Sequence, residues 1–224
     1  MVHPAIGLVI AYLLGSIPAA YVAGRMVKGI DLRQHGSGNL GATNVYRLLG
    51  AKVAAAVLLF DAAKGALPVI FLPRLLDTGG NPLAWAIAYG VAAIAGHVRP
   101  IFLLWRGGGK GVATASGVFV ALAPLPILIS TVVFAVVFWA GGYVSLASLT
   151  AAAVLPAAVL ALMGPESPVF ALSALVAVFV FWTHRANIGR LRRGEESRVG
   201  RARVSARTRA GSRPVNSKPA GRPE

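Results

Sequence analysis

VATASGVFVALAPLPILISTVVFAVVFWA, residues 112–140, runs for 29 residues without a charge and carries Pro124 and Pro126 near its middle. As one helix it would be roughly 44 Å long, half as long again as the ~30 Å of hydrocarbon in a bilayer. Proline removes a backbone donor and crowds the preceding turn, so the run reads either as one kinked helix or as two shorter helices meeting at a turn. The choice fixes the side of the membrane on which everything after it lies, and charge decides it.

Other apolar runs of spanning length occupy about 4–24, 51–72, 83–104, 143–163 and 167–183. Between them, 25–52 carries Arg25, Lys28, Arg33, Arg47 and Lys52, and 105–111 carries Arg106 and Lys110, whereas 73–82 has Arg74 alone. Twelve of the 22 Lys and Arg residues fall from Arg185 onward. Lys and Arg collect on the cytoplasmic side of membrane proteins. A single crossing at 112–140 would leave that basic end outside, while two crossings bring it inside with both basic loops. The expectation is an all-α integral membrane protein of about seven transmembrane helices, N-terminus outside and C-terminus cytoplasmic. Only His3 precedes the first run as a candidate basic residue, so that run is expected to persist as a helix rather than to be a cleaved signal.

Composition agrees: 56% of residues are hydrophobic, 13% are charged and the mean hydropathy is +0.70, against about 25% charged in soluble domains. That balance disfavours a soluble enzyme. The net charge of +15 frames the apolar runs and loads the C-terminal end, and no nucleic-acid partner is expected. The absence of cysteine excludes thiol catalysis, thiolate metal sites and a disulfide scaffold. Residues 1–197 are expected to form the membrane domain. Residues 198–224, rich in Arg, Ala, Ser, Gly and Pro, read as a disordered basic tail near anionic headgroups.

Three polar segments stand out. Gly36-Ser37-Gly38-Asn39-Leu40-Gly41-Ala42-Thr43-Asn44, followed by Arg47, allows a tight turn whose N–H groups converge on an anion. With Asn39 as N-cap of a short helix, Thr43, Asn44 and Arg47 would share a face suited to phosphate; the bland alternative is a glycine linker. Arg106-Gly107-Gly108-Gly109-Lys110-Gly111 is not an NTPase loop, because Gly111 stands where Ser or Thr should hold magnesium. A glycine loop ending in Lys at a helix start still suits phosphate, but it also reads as an ordinary basic membrane flank. Gly141–Ser148 opens a helix with Ser145 and Ser148 one turn apart, placed to hold a polyol or to cap and pack.

His184 and Asn187, one turn apart, suit proton handling and substrate orientation, or merely an interfacial polar edge. His97 is equally ambiguous. Asp61 and Lys64 sit inside an apolar run, where an unpaired charge costs about 2.5–3.5 kcal/mol, and their spacing favours a neutralised structural pair over a cavity lining or ion relay.

Taken together, Gly36–Asn44 with Arg47, Gly107–Gly111 preceded by His97, and Tyr143–Ser145 resemble the three cytoplasmic motifs of the bacterial acyl-phosphate:glycerol-3-phosphate acyltransferase family. The resemblance runs from Gly15-Ser16-Ile17-Pro18 through Asn187-Ile188 and includes Gly108–Thr114. It implies a multi-pass enzyme of the bacterial inner membrane, its active site facing the cytoplasm. The reaction implied moves an acyl chain from acyl phosphate to the 1-hydroxyl of glycerol 3-phosphate, early in phospholipid synthesis. By the same resemblance Ser37, Gly38, Thr43, Gly108, Gly109 and Lys110 meet the donor phosphate, and Arg47, Ser145, His184 and Asn187 hold the acceptor. Asn39 and Asn44 belong to the substrate-binding loop, and Lys110, Ser37, His184 and Asn187 are the expected catalytic set. No metal or cofactor is expected, since the donor is already activated. A rival from another class is a transporter or exchanger of phosphate-bearing anions, whose broken helices would point at the membrane midplane.

Overall fold

The computed structural model describes residues 3–199, and they form ten α-helices and one short 3-10 turn. In chain order these are α1 Ala5–Ser16, α2 Ala19–Lys28, α3 Ala42–Leu49, α4 Ala51–Leu75, α5 Pro82–Val98, α6 Val112–Leu122, α7 Pro124–Gly141, α8 Val144–Met163, α9 Pro168–Thr183 and α10 Arg185–Arg192, with the 3-10 turn at Ile101–Leu103. The expected tail lies outside the described residues except for Arg198 and Val199.

The 112–140 run is indeed two helices. α6 ends at Leu122 and α7 begins at Pro124, with Ala123 between them at φ −149° and ψ 69°. Proline serves as the first residue of α7, where its missing N–H has no partner to lose. Among the described residues five helical stretches are long and apolar enough to cross a membrane, or six if α9 and α10, bent by 60°, are one span. α6, at 11 residues, is about 16 Å long.

The first run breaks where a continuous helix was expected. Ile17 is forced out of helical geometry by Pro18 and takes ψ 115°. Its carbonyl, left without a helical partner, accepts a hydrogen bond from the Lys64 ammonium at 2.9 Å. Lys64 also pairs with Asp61 at 2.8 Å, and His97 Nδ1 approaches the same carboxylate oxygen at 3.6 Å. All three side chains are buried and paired, with His97 tying α5 to the pair, and they also line a small pocket with Ile17, Leu40, Gly108 and Gly109, so the fold contains both the neutralised pair and the cavity lining. Lys64→Met should cost about 3–5 kcal/mol of stability by leaving Asp61 buried beside His97 alone. Thermal unfolding in detergent checks this, and a melting temperature equal to that of the unsubstituted protein would contradict it.

Small residues let the helices touch. A β-carbon on Gly15 would strike the Ala93 carbonyl, and one on Gly65 would strike that of Thr114, so α1 packs on α5 and α4 on α6 at backbone distance. The main core gathers Val69, Ile94, Val118, Phe119, Val159 and Val176 from α4, α5, α6, α8 and α9. A second cluster, with Ala20, Leu32, Leu40, Val45 and Val57, lies beneath the first glycine loop and anchors it. Large apolar side chains left open, such as Trp139 at 88% and Leu59 at 70% exposure, suit contact with lipid rather than water.

Candidate active site

Both glycine loops lead into helix N-termini. The first delivers α3, whose N-cap is Gly41 rather than the expected Asn39, with no side-chain cap. The second delivers α6 behind Gly111 in the left-handed conformation at φ 81°. The first-turn amides of each helix lack intrahelical partners and carry the positive end of the helix dipole. The loops touch directly: Leu40 N–H donates to the Gly108 carbonyl at 3.3 Å.

Not every amide expected to face an anion is free. The N–H groups of Ser37, Gly38, Leu40 and Gly109 are bonded within the fold, to Asn44 Oδ1, His35 O, Gly108 O and His97 O. Each loop must satisfy its own backbone before it can serve a ligand. Asn44 is likewise drawn inward: it is buried, and its side-chain N–H groups donate to Leu32 O at 3.3 Å and His35 O at 3.1 Å. Its side chain shapes the loop and does not join the face of Thr43 and Arg47. Gly108 and Gly109 lie against the end of α5. A β-carbon on either would run into the Val98 carbonyl or the His97 ring.

Lys110 links this double loop to a polar cluster at the same end of the bundle. Its ammonium donates to Asn187 Oδ1. Asn187 in turn donates to Glu196 Oε1 at 2.6 Å, and Ser145 Oγ donates to the same oxygen at 2.7 Å. Arg190 Nε donates to Glu196 Oε2 at 2.6 Å, and Arg47 reaches the Ser197 carbonyl at 3.5 Å. Burial pulls the Lys110 ammonium down to about 8, helped by Arg190 and Arg47 and opposed by Glu196. Burial alone would raise the Glu196 carboxyl, but hydrogen bonds from Asn187, Ser145 and Arg190 outweigh it and hold it below the usual range.

His184 stands at the bend between α9 and α10, with Thr183 Oγ1 donating to Lys110 O at 3.4 Å beside it. His184 Nδ1 lies 2.8 Å from the Val180 carbonyl. A carbonyl only accepts, so Nδ1 carries the proton and Nε2 keeps its lone pair. The two serines of α8 separate: Ser148 Oγ bonds back to Val144 O at 2.8 Å, whereas Ser145 faces the cluster.

Lys110, Asn187, Ser145, Arg47 and His184 thus come together, while Ser37 is exposed and Gly38, Asn39 and Thr43 stay with the first loop. Sequence reasoning missed Glu196. Its signal was scarcity, since the chain has seven acidic residues in all and this one sits among arginines. Past it the chain stays attached: Arg198 Nε donates to the Tyr143 hydroxyl at 2.8 Å and Val199 N–H to Gly142 O at 2.8 Å.

Residues 5–194 match the family model described as glycerol-3-phosphate acyltransferase. The chain belongs to the glycerol-3-phosphate acyltransferase family. The glycerol-3-phosphate acyltransferase of Geotalea daltonii is 46% identical over 187 residues, covering 84% of this chain and 93% of that protein. A crystal structure of PlsY (YgiH), an integral membrane glycerol 3-phosphate acyltransferase in its glycerol 3-phosphate form, is 38% identical. It matches with a TM-score of 0.81 over 90% of this chain and 98% of that one. The lysophosphatidic acid form of the same enzyme matches with a TM-score of 0.75. As a member of this family, the protein is a multi-pass membrane acyltransferase acting on glycerol 3-phosphate.

Proposed function

We propose that the acyl donor is acyl phosphate and that transfer to the 1-hydroxyl of glycerol 3-phosphate occurs at the cytoplasmic face of the bacterial inner membrane. The observation that carries this reading is the place of Lys110, which ends a glycine loop at the start of α6 and reaches Asn187 in the polar cluster. One cation therefore serves two anionic substrates at their meeting point. The first turns of α3 and α6, with Ser37, Gly38, Asn39, Thr43, Gly108 and Gly109 around them, form the donor side. Arg47, Ser145, His184 and Asn187 form the acceptor side, and Asn44 supports the first loop from within.

In the step itself the 1-hydroxyl oxygen bonds to the acyl carbonyl carbon, the carbon–oxygen bond to phosphate breaks, and inorganic phosphate leaves with the hydroxyl proton. His184, with Nε2 free to accept, orients the hydroxyl, and Lys110 meets the charge that grows on the acyl and phosphate oxygens. No metal, cofactor or acyl-enzyme is needed, because the mixed anhydride is already activated. The acyl chain lies between helices, open to lipid.

The same reading has seven crossings, with α1–α2 as the first and α6 as a short fourth, the N-terminus outside and the C-terminus in the cytoplasm. The basic loops favour it. A transporter is disfavoured because Lys110, Ser145, Asn187 and Arg47 gather near helix ends rather than along the interior of a long apolar helix.

Inverted membrane vesicles given acyl phosphate and membrane-impermeant labelled glycerol 3-phosphate, with a metal chelator present, should release phosphate and form lysophosphatidic acid. Sealed right-side-out vesicles should not. Product from neither preparation would reject the donor, and product from the right-side-out vesicles alone would reject the orientation.

A further inference from the structure

Two loops from distant parts of the chain must keep one register if the N-termini of α3 and α6 are to serve a single phosphate. Leu40 N–H to Gly108 O, at 3.3 Å, is a long hydrogen bond for that task. The other hydrogen bond between the loops, among the described residues, comes from Arg33. Its Nη1 donates to the Arg106 carbonyl at 3.2 Å, across 73 residues of sequence.

Arg33 is itself held from below. Its Nε lies 3.0 and 3.1 Å from the two Asp31 carboxylate oxygens, and its Nη2 lies 2.7 Å from Oδ2. Asp31 is buried, and the Arg33 guanidinium holds its carboxyl down at about 2. The guanidinium also lies 5.1 Å from the Tyr21 ring centre, so α2 supports the same group. Two glycines fit around it. Gly107, at φ 82°, would place a β-carbon 2.8 Å from Arg33 Cδ, and Gly38, at φ 69°, would place one 3.1 Å from the Arg33 carbonyl. Arg33 therefore meets the first loop through its backbone and the second through its side chain.

We infer that Arg33 is a positioning residue that holds the two glycine loops in register around the donor phosphate, an inference that rests on the donor reading above. The planar fork matters. Lysine offers a point charge that can meet Asp31 or the Arg106 carbonyl, but not both at the angles a guanidinium spans.

The test uses the full-length protein in detergent with Arg33→Gln and Arg33→Lys, the second keeping the charge should the first fold poorly. Hydrogen exchange is measured at the backbone amides of residues 36–41 and 107–110, and KM is measured separately for acyl phosphate and for glycerol 3-phosphate. Loss of one charge-assisted hydrogen bond should speed loop exchange and raise the donor KM about tenfold each, with the acceptor KM within about twofold and no rescue by Lys. Exchange in α4 and α8 should not move. Unchanged loop exchange would overturn the brace, and so would donor and acceptor KM rising together, as general loosening would cause. Faster loop exchange with an unchanged donor KM would overturn the positioning role; if Lys110→Ala also leaves donor kinetics untouched, the failure belongs to the donor reading instead.

Discussion

Lys110→Ala should lose a factor of about 100 or more in kcat/KM, with the protein still inserted and folded. The ammonium is the fixed positive charge that joins the α6 N-terminus to the Asn187–Glu196–Ser145 cluster. Water cannot replace it, because the side chain is partly buried among helix ends. Its pull toward about 8 by burial adds a pH signature. The charged form dominates below that value and is lost as pH rises through it. In the free enzyme kcat/KM should therefore fall on an alkaline limb near pH 8, since that ratio reports the ionisation of the unliganded protein. Arg47→Ala removes a charge at the rim of the same cluster and should weaken acceptor use, and because Arg47 helps hold the Lys110 ammonium down it should also shift that limb to higher pH. An alanine variant at position 110 with near-normal kinetics, or an activity flat to pH 10, would remove Lys110 from the centre of the reaction.

The parts of the molecule legible in the sequence were those set by solvent and by proline. The apolar runs reported the membrane, and Pro124 with the charge asymmetry reported the break between α6 and α7. The glycine loops were visible as motifs because glycine and polar residues together have few uses beside a membrane helix. What stayed hidden were pairings across long stretches of chain. Nothing local tells that Glu196 will take Ser145 and Asn187, or that Arg33 will reach Arg106. The break at Ile17 had its local signal in Pro18 and was passed over; its cost is offset by Lys64, 47 residues away, which seen alone looked like half of a pair with Asp61. Asn44 shows the opposite error. Its place in a polar motif suggested contact with substrate, while the need of a tight loop to satisfy its carbonyls turned it inward.

The loops' own hydrogen bonding bears on the choice of donor. With the amides of Ser37, Gly38, Leu40 and Gly109 engaged in the fold, the proposed donor phosphate is left chiefly to the positive end of α6 and the Lys110 ammonium. Both suit a phosphate joined directly to the reacting carbonyl. An acyl thioester puts sulfur there, which neither carries the charge nor accepts those hydrogen bonds well. The helix end and Lys110 would then lose their partner at the point of bond breaking, and sites built around a buried polar contact reject analogues lacking it by factors of about 10⁴. Acyl-CoA should accordingly fall behind acyl phosphate of the same chain length by orders of magnitude in kcat/KM. The discrimination should narrow about a hundredfold in Lys110→Ala, because the variant loses one of the two features that distinguish phosphate from sulfur while the α6 N-terminus and the acyl groove are unchanged. Comparable kcat/KM for the two donors with the unsubstituted protein, in one detergent and at one chain length, would refute the assignment of the α6 N-terminus to the donor phosphate.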